Sequence, residues 1–281
     1  MSVPAAGVEA TGRRSRRPPV FLAAASVAAI AVVCLPLAYL VIRAAGGGAA
    51  VSETLTRPRT LSLVGETAAL VAATTGAAVL VAVPLAWLVT RTDLPGRRVW
   101  VIAAALPLVI PSYVAALALL AAFGPRGLVQ QLLEGPFGVE RVPELYGLGG
   151  GVLALTISTY PYVFLLTAVA LRDVDPALEE TARGLGRGRV ATFLHVTLPL
   201  VRPSIGAGAL LAALYALSDF GAVSLMQTDS LTRAIYVQYR SLFDRTPAAV
   251  LALVLVALTA VLLGLELRLR GRGRLARAGP G

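Results

Sequence analysis

The stretch DPALEETARGLGRGRVATFLHVTLP, residues 175–199, is a charged segment between two long apolar runs. Asp175 followed by Pro176 is a favourable helix start, because aspartate caps free N–H groups and proline fits the first helical position. The apolar residues that follow recur at helical spacing and predict one apolar face: Leu178, Ala182 and Leu185. The segment therefore begins as an amphipathic helix.

Glycines interrupt this helix, and Gly186 is the expected left-handed residue at its C-terminal end. A second short helical run follows and is expected to end at Pro199. Its predicted face consists of Val190, Phe193, Leu194 and Thr197. The sequence thus predicts two short helices joined by a glycine turn, with an apolar knob inside a charged rim. A loop that only joined two membrane spans would need far fewer residues.

The same segment resembles a signature of the permease subunits of ATP-binding-cassette (ABC) importers. That signature reads E-A-A, three residues, G, nine residues, I-x-L-P. The matching residues here are Glu180, Thr181, Ala182, Gly186, Val196, Leu198 and Pro199. The spacing agrees throughout, and the departures are Thr181 for alanine and Val196 for isoleucine. The resemblance implies that these residues form a cytoplasmic coupling helix, which docks in a groove of the ATPase subunit.

The composition independently indicates an all-α integral membrane protein. Of 281 residues, 57% are hydrophobic and only 14% are charged, and the mean hydropathy is +0.78. A transmembrane helix needs about 20 apolar residues. Six blocks meet this length, at roughly 20–42, 63–89, 99–122, 148–171, 200–226 and 247–265. Six helices with one coupling helix are what the resemblance implies for the type I ABC importer permease fold.

We divide the chain into four segments on this basis. Residues 1–17 are predicted to be a disordered basic N-terminus, and 18–60 a first transmembrane helix with an external loop. Residues 61–267 are predicted to form the importer transmembrane domain, which contains the coupling loop 175–199. Residues 268–281 are predicted to be a basic tail or the beginning of a linker.

The net charge of +10 is explained by the position of the arginines in the loops. All 25 basic residues are arginine, and 17 of them fall on one side of the six-span arrangement, together with both termini and residues 175–199. The positive-inside rule places this side in the cytoplasm. Nucleic-acid binding is not indicated, because the arginines flank spans and are not interleaved with aromatic residues on one face. The single cysteine, Cys34, lies in the first span and gives neither a disulfide nor a thiolate metal site.

Two features inside the spans are candidates for lining the substrate pathway. Pro107 and Pro111 lie four residues apart in the third span, so this helix is expected to be kinked or locally unwound. Such breaks favour an interior position, although an ordinary packing kink is an equal alternative. Asp219 lies near the outer boundary of the fifth span. It is expected either to line an outer vestibule or to cap a broken helix.

Further stretches narrow the resemblance to one group of importers. Residues 107–120, 160–173 and 218–239 are similar to the permeases of the iron(III) importer group, which also includes thiamine and aminoalkylphosphonate permeases. Members of this group commonly fuse two six-helix halves, whereas this chain has one. The implied partners are an ATPase subunit dimer, a second permease half (as a homodimer or heterodimer), an external substrate-binding protein and the lipid bilayer.

Two other function classes fit the sequence less well than an importer permease does. An ion-coupled secondary transporter or channel usually carries ionisable residues at mid-membrane, and no span here has a charge that we place deep. An intramembrane enzyme would need a catalytic arrangement, and the single His195 lies in the coupling loop. The glycines near it lack the Gly-Lys-Ser/Thr ending of a phosphate-binding loop. We therefore expect no catalytic residues, cofactor or metal site in this chain, with ATP hydrolysed by a partner subunit.

Overall fold

The computed structural model describes residues 20–124, 127–138, 145–241 and 245–275. The predicted N-terminal segment 1–17 and the last residues of the predicted tail, 276–281, lie outside the described residues. Within the described ranges all regular structure is helical. In chain order the helices are α1 (Val20–Ala45), α2 (Ala49–Thr56), α3 (Pro58–Arg91), α4 (Arg97–Ala105), α5 (Ser112–Phe123), α6 (Leu128–Phe137), α7 (Gly147–Asp173), α8 (Pro176–Gly184), α9 (Arg189–Thr192), α10 (Leu198–Ser218), α11 (Gly221–Leu225), α12 (Leu231–Ser241) and α13 (Thr246–Leu275).

Six mainly helical stretches are long and apolar enough to cross a membrane, which agrees with the predicted number. They are Phe21–Ala45, Pro58–Arg91, Ser112–Glu134, Gly147–Asp173, Arg189–Ser218 and Thr246–Arg268. The third of them joins α5 to α6 across residues 125–126, which lie outside the described residues. The third stretch is displaced from the predicted block 99–122, because the helix is interrupted between Ala105 and Ser112. The fifth stretch begins earlier than the predicted block 200–226, because residues 189–197 are helical and run directly into α10. It ends earlier because α10 stops at Ser218.

Helices α3, α7 and α10 pack together as the core of the bundle. One face of α3 is buried along its whole length, and its residues recur every three or four positions: Leu63, Thr67, Leu70, Thr74, Ala78, Ala82, Ala86 and Val89. Most of these side chains are small, which allows neighbouring helix backbones to approach closely. Helix α10 approaches α7 closely at Gly208, where an added Cβ would lie 2.6 Å from the Cα of Val163.

The external loop predicted within the segment 18–60 contains more helix than the sequence suggested. Helix α2 occupies Ala49–Thr56, and α3 already begins at Pro58. Proline is well accommodated in the first turn of a helix, where its missing N–H has no intrahelical partner to lose. Helix α1 packs against α13, and none of its most apolar window is buried. The first span is therefore peripheral to the core formed by α3, α7 and α10.

The segment after α10 closes the end of the bundle opposite residues 175–199. The Oγ1 of Thr67 on α3 accepts a hydrogen bond from the Leu231 N–H, at 3.0 Å. The Thr228 hydroxyl donates to the carbonyl of Gly147 at 2.8 Å, and the Gly147 N–H donates to the Met226 carbonyl at 2.7 Å. Residues 226–231 are therefore attached to the N-terminal part of α3, in its third turn, and to the first residue of α7.

Candidate functional site: the coupling loop and the helix breaks

The first helix of the coupling loop, α8, begins and ends as the sequence predicted. The carboxylate of Asp175 accepts a hydrogen bond from the Ala177 N–H at 2.9 Å, with Pro176 in the first turn. At the other end Gly186 has a φ of +86°. The Gly186 N–H donates to the Arg183 carbonyl at 2.9 Å, and the Arg187 N–H donates to the Ala182 carbonyl at 3.2 Å. This pair of bonds is the Schellman arrangement, in which a left-handed glycine ends a helix.

The coupling loop presents an apolar surface to its surroundings. The exposed side chains are large and apolar: Leu178 (48% exposed), Leu185 (81%), Val190 (67%) and Leu194 (49%). Exposed arginines lie among them in the sequence: Arg183, Arg187 and Arg189. Of the predicted apolar face of α8, only Ala182 is buried against the rest of the chain. Leu178 and Leu185 of that face are exposed, as expected for an apolar contact surface. Large exposed apolar patches are typical of surfaces that bind a partner.

The residues that match the importer signature differ in exposure. Glu180 and Thr181 are exposed on α8, and Ala182 is buried behind them. The Thr181 hydroxyl donates to the Ala177 carbonyl at 2.7 Å and so stays on its own helix. Beyond the turn, Val196 and Leu198 are half-buried, and Pro199 is exposed. The signature therefore includes both outward-facing residues and residues that hold the loop in place.

The prediction that Pro199 ends the second short helix is wrong. Residues Phe193–Thr197 form a π-helical turn, in which the Leu198 N–H bonds to the Phe193 carbonyl, and the chain continues without interruption into α10. Proline clashes with the carbonyl four residues earlier in an α-helix. The wider turn just before Pro199 changes the helical geometry where this clash would arise. The second helix of the coupling loop is thus the beginning of a membrane-spanning helix.

Three side chains behind the coupling loop form a buried polar cluster that sequence reasoning missed. Glu179 accepts a hydrogen bond from the Thr197 hydroxyl at 2.8 Å. Its Oε1 also lies 3.3 Å from the Nε of Arg91, and both side chains are largely buried, at 8% and 16% exposed. The Nε–H lacks hydrogen-bond geometry toward this oxygen, so the contact is an ion pair. The available signal was the position of Glu179 three residues before Ala182, on the buried face of α8.

A cavity of about 220 Å³ lies beside this cluster. Its lining is mostly polar and charged: Trp87, Arg91, Thr92, Asp93, Glu179, Arg183, Arg189, Thr192, Phe193 and Thr197. Trp87 and Phe193 are in contact, with ring centroids 5.8 Å apart. This aromatic pair joins α3 to the π-helical turn and supports the coupling loop from the side of the bundle.

The predicted unwinding at Pro107 and Pro111 is confirmed. Residues Leu106–Val109 form a 3₁₀ turn, and Ile110 and Pro111 are extended before α5 begins at Ser112. Pro107 is half-buried and Pro111 is exposed. The backbone therefore leaves α-helical geometry in the middle of the segment between α4 and α5.

Asp219 is buried at the second helix break, between α10 and α11, and is 8% exposed. Its Oδ1 accepts hydrogen bonds from the N–H groups of Ala222 (2.9 Å) and Val223 (3.2 Å). Its Oδ2 accepts a hydrogen bond from the Ser112 hydroxyl, at the beginning of α5. The two predicted breaks are therefore next to each other in space. Ser112 was not identified from the sequence, since nothing in the residue pattern links it to Asp219.

The described residues contain no group of three or more His, Cys, Asp or Glu side chains that could hold a metal ion. Cys34 is exposed on α1.

Comparison with known proteins gives consistent matches. A family model described as "Binding-protein-dependent transport system inner membrane component" matches residues 82–272. The Fe(3+)-transport system permease protein FbpB 2 of Haemophilus influenzae is 31% identical over 267 residues, which is 95% of this chain and 49% of that protein. The molybdenum transport system permease protein ModB of Escherichia coli is 32% identical over 177 residues, 61% of this chain and 76% of that protein. The chain thus spans about half the length of the Haemophilus relative.

Solved structures show the same fold. A crystal structure of a bacterial alginate ABC transporter, in complex with a periplasmic protein bound to an alginate pentasaccharide, matches with a TM-score of 0.67 at 14% identity, covering 88% of this chain and 92% of that one. The methionine ABC transporter MetNI, in an inward-facing conformation, matches with a TM-score of 0.56 at 18% identity, covering 74% of this chain and 93% of that one. The chain belongs to the family of binding-protein-dependent transport system inner membrane components, and its fold is that of a type I ABC importer permease.

Proposed function

We propose that this chain is the permease half of an ATP-driven importer and that residues 175–199 couple it to a separate ATPase. The observation that carries the proposal is the coupling loop itself. It combines the signature spacing of Glu180 to Pro199, a left-handed Gly186 and exposed apolar side chains, of which Leu185 is the most exposed. Family membership does not support the alternative of an ion-coupled transporter or channel.

In this proposal the chain has no catalytic residues and works as a gated pathway. An ATPase subunit dimer hydrolyses ATP and moves the coupling loops, and a second permease half completes the pathway. An external binding protein delivers the cargo. The candidate coupling residues are Glu180, Thr181, Ala182, Gly186, Val196, Leu198 and Pro199. The candidate pathway residues are Asp219, Pro107 and Pro111, which lie at the two adjacent helix breaks; Asp219 is included for its position there and not for its charge. The arginine distribution supports a cytoplasmic position for the coupling loop and both termini.

Iron(III) is the cargo that we propose first, because the Fe(3+)-transport permease matches nearly the whole chain. Molybdenum is the second candidate, since the molybdenum permease is equally identical over a shorter stretch. Uptake of radioactive iron(III) and of molybdate by cells with and without the gene separates these cargoes. Thiamine and an aminoalkylphosphonate, the remaining cargoes of the resembled group, serve as additional substrates in the same assay.

The coupling role is tested by co-purification. An ATPase subunit should co-purify with the tagged wild-type chain, and Leu185→Asp should abolish this, because it places a charge on the most exposed apolar side chain of the coupling loop. Ser52→Asp is the matched control, since Ser52 is also exposed but lies on α2 at the opposite end of the bundle. Retention of the ATPase by Leu185→Asp would contradict the proposed docking surface.

A further inference from the structure

Arg91, the last residue of α3, reaches across to the end of α7. Its Nη2 donates hydrogen bonds to the carbonyls of Leu171 (2.7 Å) and Val174 (3.0 Å). The last carbonyls of a helix have no donor within that helix. A cation at this end is also favourable for the helix dipole. Arg91 therefore joins the ends of two core helices, α3 and α7.

The same guanidinium also holds the coupling loop, through Glu179 on α8. The carboxylate of Glu179 is placed between three partners on different parts of the chain. Arg91 lies at 3.3 Å and Arg183 at 3.4 Å, and the Thr197 hydroxyl donates to it at 2.8 Å. Thr197 is the residue before α10 begins. Arg91 and Glu179 together thus connect α3, α7, α8 and the beginning of α10.

The covalent connection from α7 to α8 is short and not helical. Only Val174 and Asp175 separate the two helices, and both have extended ψ angles of 124° and 120°. Rotation about these two residues would let α8 move without moving α7. The buried ion pair opposes this rotation, because separating two largely buried charges leaves each without its partner in a poorly solvated site.

We infer that Arg91 and Glu179 are a positioning pair that transmits movement of the coupling loop to α3 and α7. This inference rests on the proposed function, since it assumes that an ATPase moves the loop. Neither residue belongs to the docking surface, because both side chains are largely buried in the chain itself. Without the pair, the ATPase still binds the loop, but the loop moves separately from the helices that form the pathway.

The first arm of the test needs no partner protein. Hydrogen exchange of α8 is measured by mass spectrometry on the purified chain in lipid nanodiscs, for the wild type, Glu179→Gln and Arg91→Lys. Glutamine keeps the shape of Glu179, and lysine keeps the charge of Arg91 without its planar set of donors. We expect α8 amides to exchange at least about tenfold faster in both variants. Loss of a hydrogen bond to a charged group changes an equilibrium by about this factor. Glu180→Gln, next in the chain but exposed, should exchange like the wild type.

The second arm uses the transporter reconstituted with its ATPase and binding protein. Binding at one allosteric site typically changes the affinity of the other by a factor of about 5–150. We therefore expect the stimulation of ATP hydrolysis by substrate to fall at least about fivefold in Glu179→Gln. The number of ATP molecules hydrolysed per substrate imported should rise, while the ATPase still co-purifies. A purely structural role would reduce the amount of assembled transporter and leave this ratio unchanged.

Each result separates the inference from the proposed function. Unchanged exchange in Glu179→Gln would overturn the positioning pair, and so would faster exchange with a normal ratio of ATP to substrate. Loss of ATPase binding in Glu179→Gln would also overturn it, because the residue would then belong to the docking surface. If the wild-type chain itself neither bound an ATPase nor imported substrate, the proposed function would be wrong. The inference that the pair transmits movement of the coupling loop would then be wrong as well. The exchange arm would still show whether the pair holds α8.

Discussion

The hydroxyl of Ser112 donates a hydrogen bond to the carboxylate of Asp219, 107 residues further along the chain. Ser112 begins α5, and Asp219 ends α10 and caps α11. One buried carboxylate thus satisfies polar groups at two helix breaks. An unpaired polar group in a poorly solvated environment is costly. This gives Asp219 a structural role that does not require contact with the cargo.

Asp219→Asn should import cargo nearly as well as the wild type. The amide oxygen of asparagine can still accept the bonds from Ala222 and Val223, and asparagine is a good capping residue. Asp219→Ala removes the cap and leaves Ser112 without its acceptor, so we expect the free energy of unfolding to fall by about 2–4 kcal/mol. Uptake assays and thermal unfolding in detergent measure the two effects. Slow uptake by a stable Asp219→Asn protein would instead assign the charge to the pathway.

Gly186→Val should abolish coupled transport while the protein still inserts into the membrane. At a φ of +86° a β-branched side chain is strained by about 1–3 kcal/mol, which would shift or unwind the turn. Gly184→Ala is the matched control, because Gly184 is helical and has open space around it. Uptake and substrate-stimulated ATP hydrolysis are measured in proteoliposomes. Normal uptake by fully expressed Gly186→Val would show that the turn does not control coupling.

Gly208→Ala should destabilise the bundle, whereas Gly206→Ala should not. A Cβ at Gly208 would lie 2.6 Å from the Val163 Cα, but one at Gly206 would meet only a side-chain atom of Glu266, at 3.8 Å. Overpacking of this kind costs about 1–3 kcal/mol. Thermal unfolding of the two variants in the same detergent measures the difference. Equal melting temperatures would mean that α7 and α10 are not in close contact at this position.

Cysteines at opposite ends of the bundle should react from opposite sides of the membrane. Gly188→Cys lies in the coupling loop and should react with an impermeant thiol reagent only from the cytoplasm. Ser52→Cys is exposed on α2 and should react only from outside. Both changes are made with Cys34→Ala, because the natural cysteine is exposed on α1. Labelling of both positions from the same side would reject the six-span arrangement.

Several features were predictable because they depend on local sequence. The apolar blocks predicted the number of spans. The ends of α8 were predicted from Asp175-Pro176 at its start and from Gly186 after its last turn. The prolines at 107 and 111 gave the unwound segment. Each of these follows from the conformational limits of one or two residue types, or from the length of an apolar run. Such limits act whatever the rest of the chain does.

The polar contacts were not predictable because their partners are distant in the sequence. In the sequence, Arg91 is one more arginine beside a span, and Glu179 is an acidic residue of the kind that favours the first turn of a helix. Only the packing of α3, α7 and α8 brings them together. Pro199 was misjudged for a different reason, since proline was taken to end a helix. A local change to π-helical geometry allows the chain to continue as a helix around it.

The π-helical turn at Phe193–Thr197 also determines the direction in which the coupling loop faces. Successive residues of an α-helix are rotated by about 100° about the helix axis. The hydrogen bond of a π turn joins residues five apart, one more than in an α turn. The side chains before the turn, including Val190, are therefore rotated about the axis of α10 relative to those after it. One additional residue thus turns residues 175–192 relative to α10. Deletion of a single residue from this turn would rotate them by about 100° about the axis of α10.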